Sequence, residues 1–250
     1  MKKFKLLLLI ICIFIIFVLS GKEIWKTYQF AFTSDGSHIT LLTYREYRSI
    51  REFYPAYKEK EKIVVPKSVI GRPVTSLKWT FSGYYQLTSV ELPDTITSLE
   101  DYAFSQCDFL TQIDLPSNLG LIGEFTFSGC RSLETLTIPS GVSMIGKYAF
   151  GDCSNLKEIF LPEYLEVINE GTFIHCTSLE EIHIPAGTTA IRDFAFQGCT
   201  NLKTIYIPAS ATEIGEDVFK DVLQLTIMTS PGSKAEEYAK QHKIHYEIKK

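Results

Sequence analysis

Five cysteines, Cys107, Cys130, Cys153, Cys176 and Cys199, stand 23 residues apart. A column of thiols could form disulfides, bind a metal or supply a nucleophile. If the five return to one place in stacked parallel strands, neighbours lie about 4.8 Å apart. Side chains pointing the same way then hold their Cβ atoms beyond the roughly 3.5–4.5 Å of a disulfide. Five cysteines also leave one over. Zinc needs ligands that converge on a tetrahedron, whereas a straight ladder diverges. The expectation is buried, unpaired thiols acting as small core residues, with one or two strained disulfides or a metal site as the alternatives.

Other reactive residues carry less. His175 precedes Cys176, but neighbours at a chain corner point apart, and a buried thiol is no nucleophile. The five histidines, His38, His175, His183, His242 and His245, fall in different contexts without a shared orienting partner. Gly141 to Tyr148, "GVSMIGKY", fits G-x-x-x-x-G-K but carries Tyr148 where a phosphate loop needs Ser or Thr. Paired carboxylates occur on faces beside solvent, with no pocket to raise a pKa. No catalytic residue, metal-ligand set or cofactor site is assigned, and an enzyme is not expected.

The elements that position these residues repeat. Phe104, Phe127, Phe150, Phe173, Phe196 and Phe219 keep the 23-residue step, as do Pro93, Pro116, Pro139, Pro162, Pro185 and Pro208. Three residue types in one long period mark a tandem array. Each unit closes on an alternating apolar pair, such as Leu136 and Ile138 or Ile182 and Ile184. Period-2 spacing makes a short half-buried strand, and the following proline, lacking an N–H, ends it. Six residues after the proline comes Leu99, Ile122, Ile145, Ile168, Ile191 or Ile214. Gly123, Gly146 and Gly215 come next and are expected to permit a tight bend. One strand per unit in a constant context stacks in parallel. One unit cannot bury its anchors alone, so repetition is a condition of stability.

On these residues the chain resembles the BspA-type leucine-rich repeat family, whose 23-residue unit reads L-x-x-I-x-L-P followed by I-G-x-x-A-F-x-x-C. The resemblance spans about residues 63–230, and Gly71–Leu77, "GRPVTSL", resembles the start of such an array. Tyr84 takes the first cysteine position and Val222 the last, departures that suit terminal coils facing water on one side. The expected fold is a β-rich solenoid of short parallel strands with turns and short helical segments, between a small N-terminal β cap and a C-terminal α/β cap. Residues 21–62 form the N-terminal cap and linker, 63–230 the array and 231–250 the C-terminal cap. Alternation around Asp35-Gly36 predicts a hairpin. Ser233 and Glu236 stand at capping-box spacing for a short helix, and "IHYEI" reads as a last edge strand. Residues 44–62, rich in aromatic and charged side chains, read as a cap helix or loop, or as a membrane-surface contact.

The outward side of the strands carries two columns. One holds Glu91, Asp114, Thr137, Phe160, His183 and Tyr206, and the other Ser89, Gln112, Thr135, Glu158, Glu181 and Thr204. Phe160, His183 and Tyr206 are expected to stack on neighbouring coils, rimmed by Glu158 and Glu181. Aromatics anchor interfaces, and they also form strands well, so this strip is a candidate partner-binding site or strand-forming decoration.

The N-terminus sets the compartment. Lys2, Lys3 and Lys5 precede the apolar run Leu6–Leu19, which suits a signal peptide over residues 1–20 and is short for a span of about 20 residues. Cleavage before Gly21, or retention as a membrane tether through residues 6–19, are the two outcomes. Cys12 follows Ile11, which argues against a lipoprotein signal. Without residues 1–20, which hold three lysines and no acid, 22 basic residues face 29 acidic ones, a net charge of −7. Nucleic acid would be repelled on average.

Family members include cell-surface adhesion proteins, so the resemblance implies an exported, non-catalytic binding module, secreted or at the cell surface. Its partner would be a protein of a host matrix, of another cell or of its own envelope, met on the strand face without a cofactor. The alternative is a scaffold in an envelope-associated complex.

Overall fold

The computed structural model describes residues 31–34, 39–42, 61–69 and 71–249. The apolar run Leu6–Leu19, the cleavage point before Gly21, the Asp35-Gly36 turn and nearly all of segment 44–62 lie outside the described residues. The described residues wind as a β-solenoid of mostly parallel short strands with one helix.

Two columns of strands run along the coil. The front column comprises Lys62–Val64, Ser89–Glu91, Gln112–Ile113, Thr135–Thr137, Glu158–Phe160, Glu181–His183, Thr204–Tyr206, Thr226–Thr229 and His245–Ile248. Its central residues, such as Leu136, Ile159 and Ile182, are buried while their neighbours on either side face out. Register follows the repeat: Leu136 stands against Ile159, and Ile182 against Ile205. The back column is shorter-stranded, from Arg72–Lys78 through Ser98–Leu99, Leu121–Ile122 and Met144–Ile145 to Val167–Ile168, Ala190–Ile191 and Glu213–Ile214. Between the columns each proline carbonyl accepts the amide three residues on, as in Val142 N–H to Pro139 O at 3.0 Å. The front strand ends where proline cannot donate, and the turn starts there.

The third side of each coil is held by amides that donate forward to the next coil. Phe104 N–H meets Thr126 O at 2.8 Å and Phe127 N–H meets Ala149 O at 2.8 Å. Phe81, Phe104, Phe127, Phe150, Phe173 and Phe196 are fully buried and stack face to face with centroids 5.1–5.6 Å apart. Left-handed backbone brackets each phenylalanine, at Tyr102 (φ 58°) and Gln106 (φ 59°) around Phe104, and at Tyr148 and Asp152 around Phe150.

This corrects the expectation for Gly123, Gly146 and Gly215. The bends fall elsewhere, and these glycines have ordinary backbone angles. A Cβ on Gly146 would lie 2.5 Å from both Glu124 N and Gly123 C, so glycine is needed because the preceding coil passes too close.

The ends close the stack. Ala31–Ser34 and Ile39–Leu42 pair antiparallel, and the second runs parallel to Arg72–Lys78. Tyr84, in the first cysteine position, meets Phe81 edge-on at 5.7 Å. At the other end the helix Lys234–His242 is N-capped by Ser233, whose Oγ accepts from Glu236 N–H. Glu236 reaches back to accept from Gly232 N–H at 2.6 Å. The strand His245–Ile248 adds to Thr226–Thr229 in parallel.

Candidate functional site

The five array cysteines occupy one buried column and are unpaired. Each Sγ donates to a phenylalanine carbonyl: Cys130 to Phe104 O at 3.2 Å, Cys153 to Phe127 O at 3.1 Å, and Cys199 to Phe173 O at 3.1 Å. Phe104 O also accepts Cys107 N–H at 3.2 Å, so the thiol of the following coil uses the carbonyl's second lone pair. Burial pushes the Cys153 and Cys199 thiols up to about 12 and the Cys130 and Cys176 thiols well above the usual range. A thiolate at neutral pH is not available from this column. His175 Nδ1 lies 3.0 Å from Asp152 Oδ1, while its neighbour Cys176 donates to Phe150 O. Among the described residues no group of three His, Cys, Asp or Glu could hold a metal ion.

The phosphate-loop look-alike is an ordinary coil. Lys147 pairs with Glu170 at 2.8 Å, and Tyr148 donates to the same carboxylate at 2.7 Å. These two contacts hold the Glu170 carboxyl below its ordinary range.

On the front face, Glu158, Phe160, Glu181 and His183 are exposed and Tyr206 is half-buried. Ladder register sets His183 against Tyr206 and Glu181 against Thr204. The two rings stack at 5.4 Å with planes 5° apart. Phe160 departs from the expected three-ring strip. It is in register with Thr137 behind it, but no ladder joins Glu158–Phe160 to Glu181–His183. No ring contact links Phe160 to His183 among the described residues. The strip is therefore a stacked pair and a separate ring, 51% exposed. Lys249 Nζ stands 5.2 Å from the Tyr206 centroid. The ladder is also open between Gln112–Ile113 and Thr135–Thr137, where a groove of about 780 Å³ is lined by Gln112, Asp114, Glu134, Thr135 and Thr137 among others.

One feature escaped the sequence reading. Trp79, Tyr102, Phe125 and Tyr148 also keep the 23-residue step, and their half-exposed rings stack at 3.9, 4.9 and 5.0 Å. All four have positive φ, which is unfavourable for bulky residues. The row ends at Gly171, where the Tyr148 ring fills the space a Cβ would need. The common step was the available signal.

The sequence profile of the BspA-type leucine-rich repeat region matches residues 77–193 and 166–241, in six copies. The chain belongs to the BspA-type leucine-rich repeat family. The leucine-rich repeat protein TpLRR of T. pallidum has a similar structure, with a TM-score of 0.70 and 25% identity over 89% of this chain and 96% of that one. A leucine-rich repeat protein of Bacteroides ovatus aligns with a TM-score of 0.52 and 24% identity, over 87% of this chain and 65% of that one. No curated protein matched the sequence. BspA-type repeats are a protein-interaction module of bacterial surface proteins and are typically non-catalytic. No helix among the described residues is long and apolar enough to cross a membrane.

Proposed function

We propose that this BspA-type protein is an exported surface module that binds a protein partner non-covalently on its front strand face, as an adhesin does. Phe160, His183 and Tyr206 make the contact, with Glu158 and Glu181 at its rim. The observation that carries this reading is the exposure of Phe160 and His183 on the outward face of successive front strands. A repeat array presents such a face as one extended surface, and aromatic side chains gain most when a partner covers them. Residues 1–20 direct export, as a cleaved signal or as a tether, and the partner belongs to a host matrix, another cell or the protein's own envelope.

The test is a pull-down with the purified full chain in mild detergent, against matrix proteins and against envelope extract of the producing cell. A folded F160S/H183S/Y206S variant runs beside it. Capture of a matrix protein by the wild type alone supports the adhesin. Capture of an envelope component instead favours a scaffold within an envelope-associated complex. Equal capture by both forms removes the strip from the site.

A further inference from the structure

The carboxylates of the front face fall into two sets. Glu134 and Glu180 are neutralised across one coil by Lys157 at 2.8 Å and Lys203 at 2.7 Å. Glu91, Asp114, Glu158 and Glu181 are exposed and make no ion pair among the described residues. From Ser89 to Tyr206 the two outward columns hold these four acids and, besides His183, no basic side chain. Unpaired carboxylates and uncovered rings occur together in two places. Glu158 and Phe160 point out from one strand, and Glu181 and His183 from the next. Residues two apart on a strand face the same way about 6–7 Å from each other.

That spacing suits one kind of group. A guanidinium is flat enough to lie on a ring and carries a fork of N–H donors that reaches a carboxylate beside it, whereas an ammonium is a point charge that does one or the other well. The face already takes a cation at one end. Tyr206 has His183 on one side, and the ammonium of Lys249 stands over its ring at 5.2 Å. The other face of His183 turns toward the coil of Phe160, and no ring covers it among the described residues.

We infer that the partner segment seated on this face is cationic and arginine-bearing. Its guanidinium groups lie against Phe160 and His183 while pairing with Glu158 and Glu181. The inference rests on the front face being the docking surface.

Fluorescence anisotropy with the full chain tests it. The probe is a labelled synthetic peptide alternating arginine and serine, compared with its lysine counterpart and with its citrulline counterpart, which keeps the shape of arginine without its charge. The arginine peptide should bind, the lysine peptide should bind several-fold more weakly, and the citrulline peptide should show no binding. Binding should weaken as salt rises toward about 0.15 M. E158Q/E181Q should weaken the arginine peptide about tenfold. E134Q/E180Q, which removes carboxylates already paired within the protein, should leave its affinity unchanged. Thermal unfolding of both variants checks that they are folded.

Equal binding of the citrulline peptide, wild-type affinity in E158Q/E181Q, equal loss in E134Q/E180Q, or no binding of the arginine peptide at low salt would each overturn the inference. The same variants separate it from the reading beneath it. A captured protein lost by F160S/H183S/Y206S but kept by E158Q/E181Q leaves the docking face standing and removes the cationic partner. A protein kept by both removes both.

Discussion

Each array cysteine fills a small buried space and gives its S–H to the phenylalanine carbonyl of the coil before it. Replacing Cys153 by alanine leaves Phe127 O short of that donor and opens a gap, so urea unfolding should show a loss of about 1–3 kcal/mol. The same burial makes stability fall in alkali. The folded thiols of Cys153 and Cys199 sit at about 12 against an ordinary 9.0. Between these values the unfolded chain holds fewer protons than the folded one. Their contribution is therefore fully present below pH about 9 and lost as pH rises toward 12. Urea midpoints compared at pH about 8 and about 10.5 should show the drop, and it should be shallower in C153A.

At the scale of elements, the turns are held by close approach and the helix by its cap. Gly146→Ala sets a Cβ 2.5 Å from the backbone of the preceding coil. Backbone cannot step aside as a side-chain end can, so we expect a loss of about 2–3 kcal/mol in urea unfolding. Ser233 caps the helix Lys234–His242 and shares a hydrogen bond of 2.8 Å with Thr229. Ser233→Ala should cost about 1–2 kcal/mol and should raise amide exchange across the helix and the strand His245–Ile248. The helix was legible because a capping box is a local pattern, readable without knowing what the helix packs against. The role of the coil glycines was not, because the clash that excludes a Cβ comes from a residue 23 positions away.

Across the whole molecule each coil touches only its neighbours, so a defect is felt according to where it sits. Phe150 stacks between Phe127 and Phe173, whereas Phe219 has Phe196 on one side and Tyr238 edge-on at the other. Phe150→Ala should cost about 3–5 kcal/mol and Phe219→Ala less. Urea unfolding of Phe150→Ala should also broaden, since a weak middle coil uncouples the two halves of the array. Equal losses for the two variants would show that the stack does not behave as a chain of neighbour contacts.

The period, the front-strand positions, the buried cysteine and phenylalanine columns and the family resemblance were carried by the sequence, because identical units in identical surroundings bury identical positions. The second, back strand of each unit, by contrast, replaced the single strand per unit that was expected. The structure alone decided what depends on distances between coils. It separated Phe160 from the His183–Tyr206 pair by an opening in the ladder that no residue type announces. It joined Trp79, Tyr102, Phe125 and Tyr148 into a second aromatic row on left-handed backbone. It also neutralised Glu134 and Glu180 while leaving Glu158 and Glu181 without an ion pair among the described residues. A repeat determines which residues share a column, but the spacing and pairing of neighbouring side chains depend on how each coil settles on the next.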